Sequence, residues 1–140
     1  MKLAFKRLNL VPQGSVTGGF FEYSLDPQAG TITYQGEVDA RFMFFSKVLP
    51  LNGTAAIDPA CILSKNIAPG NVFNFGNLKV NISNIITKKA YANVEANVSG
   101  VPVSGTATFD ISGDTIVLIY VKLSGSYFGV GVVVEATAAA

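Results

Sequence analysis

From Thr31 onward the chain alternates apolar and polar residues: Ile32, Tyr34, Val38, Ala40, Phe42 and Phe44 fall on one side, with Gly36 in step, and Thr31, Thr33, Gln35, Glu37, Asp39 and Arg41 on the other. A period of two marks a strand with one covered face and one wet face. The same pattern returns where Leu78, Val80 and Ile82 alternate with Lys79, Asn81 and Ser83, and where Ala90, Ala92, Val94, Ala96 and Val98 alternate with Tyr91, Asn93, Glu95, Asn97 and Ser99. These two segments flank the polar tip Thr87-Lys88-Lys89 and predict an antiparallel hairpin. Val103, Gly105, Ala107, Phe109 and Ile111 continue the alternation. Punctuation at Ser112-Gly113-Asp114 and Ser124-Gly125-Ser126 then predicts a three-stranded meander for the last third.

One segment breaks the pattern. Asp58-Pro59 is a helix start, since a carboxylate caps free backbone N–H groups and proline at the first helical position has no N–H to waste. Pro69-Gly70 ends whatever begins there, so one short helix near 58–66 is expected and no second one. Gly-Thr at 30, 53 and 105 reads as a turn handing over to a β-branched strand residue. The expectation is an all-β fold: a single domain over 1–140, built as an antiparallel β-sandwich or β-barrel of about eight or nine strands.

The strand at 115–123 is apolar on both sides, with Ile116, Leu118 and Tyr120 on one and Val117, Ile119, Val121 and Leu123 on the other. A strand buried on one face alternates cleanly, so this one is expected to be covered twice. Beyond it, Gly129 and Gly131 leave a flat face of the kind that admits another backbone or a ligand. The expected function is therefore self-association through apolar strand faces, as in a coat, tube, spike or decoration subunit. Its interface would be Val117, Ile119, Val121, Leu123, Gly129 and Gly131, and a homo-oligomer the expected form. The alternative is a barrel enclosing an apolar small molecule or lipid, lined by Phe20, Phe21, Tyr34, Phe42 and Phe44.

Composition narrows the field. The chain has 140 residues, 14% of them charged, and a net charge of +1. Such a chain has no field with which to gather phosphates, and no nucleic-acid partner is expected. It contains no histidine, which removes the commonest acid–base group, every Ser-His or Cys-His nucleophile and the usual nitrogen metal ligand. A lone cysteine, Cys61, allows neither an internal disulfide nor a cysteine-ligated zinc, and between Ala60 and Ile62 it reads as a packed thiol. Glu37 and Asp39 share the wet face with Arg41 and read as a solvated salt-bridged surface, while Asp110 and Asp114 read as turn chemistry. The glycines of GSVTGGFF, residues 14–21, lack the Lys-Ser or Lys-Thr of a phosphate cradle and read as turn or bulge residues.

No catalytic residue, metal site or cofactor is expected, and an enzyme only as a motif-poor barrel cyclase that works by shaping an apolar substrate. No uncharged run is long enough for a spanning helix. A membrane β-barrel would share the alternation, but would also need an export signal and aromatic girdles. Lys6 and Arg7 interrupt the apolar run a secretory signal would need, so a cytoplasmic or virion-associated location is expected.

Overall fold

In a computed structural model the chain is described over residues 4–26, 29–42, 45–56, 68–75, 78–98, 100–112, 115–127 and 130–138. Ten strands account for most of them: β1 (Ala4–Leu10), β2 (Val16–Asp26), β3 (Thr31–Phe42), β4 (Phe45–Ala56), β5 (Val72–Phe75), β6 (Leu78–Ile86), β7 (Lys89–Val98), β8 (Val101–Ser112), β9 (Thr115–Tyr127) and β10 (Val130–Ala138). They form one antiparallel sheet in the order β4-β3-β2-β1-β10-β9-β8-β7-β6-β5. Each chain-consecutive pair is a hairpin, except that β4 does not pair with β5. The two ends of the chain join instead, where Leu8, Asn9 and Leu10 of β1 face Ala138, Thr137 and Ala136 of β10.

The all-β expectation holds, and the sheet is barrel-like and nearly closed, but it has ten strands rather than eight or nine. The expected hairpin is β6–β7, turning at Thr87 and Lys88, and the expected meander is β8–β9–β10. The helix expected near 58–66 falls outside the described residues, and among the described residues there is none. Of the three Gly-Thr pairs, only Gly30-Thr31 opens a strand, with Gly30 in the left-handed region at φ 67°. Gly53 and Gly105 lie inside β4 and β8.

Curling one sheet onto itself lets it bury its apolar face without a second layer. The interior is filled by Leu8, Tyr23, Leu25, Ile32, Val80, Phe109 and their neighbours, and no buried polar or charged residue occurs among the described ones. Aromatic rings meet edge to face along it, Tyr23 on Phe75 at 5.0 Å and Phe75 on Phe109 at 5.3 Å between centroids. Glycine permits the curl where neighbouring backbones come close. A side chain at Gly36 would strike the Phe20 carbonyl, and one at Gly105 the Lys122 carbonyl.

The strand that looked apolar on both sides is explained by a β-bulge. Thr108 pairs with Tyr120 but Phe109 pairs with Leu118, so Ile119 is an extra residue on β9. An extra residue reverses which face the following side chains take. Leu118 on one side of the bulge and Val121 and Leu123 on the other therefore all enter the same core. The β10 ladder on β9 ends at Tyr120, and beyond it Tyr23 supplies partners to the Leu118 backbone. Its buried hydroxyl accepts from the Leu118 amide at 2.8 Å and donates to the Leu118 carbonyl at 3.3 Å. Burial pushes the Tyr23 phenol far above its ordinary pKa, so it stays neutral and keeps its proton for that carbonyl.

Candidate functional site

Outward positions along the strands are mostly polar, among them Glu22, Thr33, Gln35, Lys79, Asn81, Asn93, Glu95, Ser104, Thr106 and Lys122, with Phe20, Val72 and Tyr91 among the exceptions, while inward positions are apolar. That polarity is the reverse of a bilayer-spanning barrel, which turns apolar residues to lipid. No helix of the described residues is long and apolar enough to cross a membrane. On this outer surface Arg7 reaches Glu22 in an ion pair and lies 4.5 Å above the Phe20 ring, while Gln35 donates to the other Glu22 oxygen at 2.9 Å. The Gln35 hydrogen bond, then Arg7, holds the Glu22 carboxyl below its usual range. Tyr120 donates to Glu135 at 2.5 Å, and that carboxylate raises the phenol's pKa. These are solvated polar pairs, and no cluster of three or more His, Cys, Asp or Glu that could hold a metal occurs among the described residues.

The residues expected to line a ligand cavity divide between two faces. Phe21 and Tyr34 both point inward, with ring centroids 6.1 Å apart, and Tyr34 lies over Gly53. Phe20, next to Phe21, points outward under Arg7. The side chain of Phe42, and Phe44 altogether, lie outside the described residues. The expected interface residues are also dispersed. Val121 and Leu123 are in the core; Val117 is buried, on the face opposite Leu118; Ile119 is half-exposed at the bulge; Gly131 is exposed; and Gly129 lies outside the described residues. Glu37 and Asp39 are half-buried and Arg41 exposed, on the outer side of β3. Asp110 is half-buried on β8, while Asp58, Cys61 and Asp114 lie outside the described residues.

Two other features stand out. The first is the seam. β4 pairs with β3 along all of its 12 residues, from Thr31 opposite Ala56 to Phe42 opposite Phe45. On its other side β5, four residues long, and β7 come near it, and neither shares a ladder with it. Along that side β4 forms no ladder among the described residues. Phe45 and Val48 on this strand are 42% and 53% exposed. Sequence reasoning missed this edge, although Pro50 signals it, because proline inside a sheet is confined to edges, strand starts and bulges.

The second feature is a cavity of about 40 Å³ inside the barrel, bounded by apolar side chains that include Phe21, Leu51, Leu78, Ala96 and Leu118. It is far below the several hundred Å³ of a typical small-molecule site.

No protein-family model matches the chain, no curated protein matches it, and no solved structure matches its fold.

Proposed function

We propose that this chain is a structural subunit that assembles with copies of itself, and that the pairing element is the outer edge of β4. The observation that carries the reading is the length mismatch at the seam: 12 residues of β4 against four of β5. An exposed strand edge is a template for another strand, and most proteins blunt it with charge, bulges or a covering element. β4 has one charge, Lys47, and a continuous register with β3.

The matching partner is a second β4. Two copies related by a twofold axis would lie antiparallel, each edge completing the other. A symmetric pair must set residues of like parity opposite one another; centred on Leu51, it sets Lys47 opposite Ala55, so no like charges meet. Pro50 removes one donor from the strand, which weakens the pair without breaking its register.

The test is the mass of the native particle by native mass spectrometry or light scattering over a range of concentrations. A dimer or a larger even assembly is expected, dissociating on dilution. A monomer at every concentration would overturn the reading.

A further inference from the structure

The cavity inside the barrel is the feature that assembly does not use. We propose that it binds one small, uncharged, apolar molecule of the size of a gas atom or diatomic, admitted through the β4–β5 seam.

At about 40 Å³ the void exceeds the roughly 10–15 Å³ that admits a single water. Water nevertheless has no reason to occupy it. A buried water needs about two to four polar partners, and the cavity wall is apolar. The buried hydroxyl of Tyr23, on the backbone of the lining residue Leu118, already makes both of its bonds there. An apolar guest loses nothing on leaving water and gains dispersion contacts that the wall now lacks. The space exists because small side chains, Ala96 and Ala136, stand among leucines and a phenylalanine in the lining.

The route in follows from exposure. Of the lining residues described, only Leu51 and Ala96 are partly exposed, and the rest are buried. Leu51 belongs to β4 and Ala96 to β7, strands that are not neighbours in the sheet yet approach each other past the end of the short β5. The guest therefore enters where the ladder is missing. The site lies within one chain and does not depend on pairing between copies.

Xenon is the probe. Titrated into the protein under pressure and followed by methyl NMR, it is expected to give saturable shifts at one xenon per chain, confined to Leu51, Leu78, Ala96 and Leu118. In Ala96→Leu, which fills the void from its mouth, those shifts are expected to vanish while the spectrum stays dispersed. The wild-type titration decides alone should that variant fail to fold. Shifts that do not saturate, that centre on the exposed Val48, Val72 and Ile86, or that are absent overturn the proposal, whatever the state of association.

Discussion

Leu118→Lys will abolish folding, whereas Ile119→Lys will leave the fold intact. The two residues are adjacent, and both belong to the apolar run of β9, but the bulge separates their fates. Leu118 is 0% exposed, stands opposite Phe109, and has its backbone held by Tyr23. An ammonium there would sit unpaired in an apolar interior, at a cost of several kcal/mol against a total stability of about 5–15 kcal/mol. Ile119 is the unpaired residue of the bulge and is half-exposed, so a lysine stem can carry its charge to water. Circular dichroism and soluble yield distinguish them: Leu118→Lys is expected to be insoluble or unfolded, and Ile119→Lys folded. The opposite result would mean that the bulge is misplaced by one residue.

Placing lysine at both Val48 and Asn52 will disperse the assembly without unfolding the protomer. Both side chains are exposed on β4 and neither contributes to the core; Asn52 gives up only a 3.4 Å hydrogen bond accepted from the Gly36 amide, so the change in each chain's stability should stay within about 1 kcal/mol. In an antiparallel β4 pair centred on Leu51, residues 48 and 52 of one copy lie opposite 54 and 50 of the other. The variant therefore packs four new positive charges, together with both copies of Lys47, along one narrow seam. Edge lysines are also the device by which natural sheets avoid pairing. The native mass is expected to fall to that of a single chain while the melting temperature moves by a few degrees at most. Unchanged particle size would place the contact elsewhere on the surface.

Much of this architecture is legible in the sequence, because a period of two is a direct reading of which side chains enter the interior. The hairpin at Thr87–Lys88 and the order of the last three strands follow from alternation interrupted by turn residues. Alternation says which face is covered, however, and not by what. It cannot separate two sheets packed together from one sheet curled round, a distinction that rests on the long-range union of Leu8 with Ala138.

The bulge at Ile119 misleads for a related reason. One inserted residue turns a single apolar face into an apparent pair of faces, and nothing in TIVLIYVKL marks the insertion. Tyr23, which bonds the neighbouring Leu118, lies 95 residues from it in sequence. Gly53 and Gly105 were read as strand openings, when in β8 the glycine serves the close approach of Lys122. The edge character of β4 was available from Pro50, but no clean alternation marks the strand, whose first four residues are all exposed.

Amide hydrogen exchange along β4, measured as a function of protein concentration, tests the central claim most directly. In β4 alternate amides point to β3 and to the open edge. The β3-facing set is bonded in the protomer and should be protected at every concentration. The edge-facing set should be protected at high concentration, where copies pair, and should exchange rapidly on dilution. Edge amides of β4 that exchange at one rate across the whole range, while the particle itself assembles or fails to assemble, would contradict pairing through this strand.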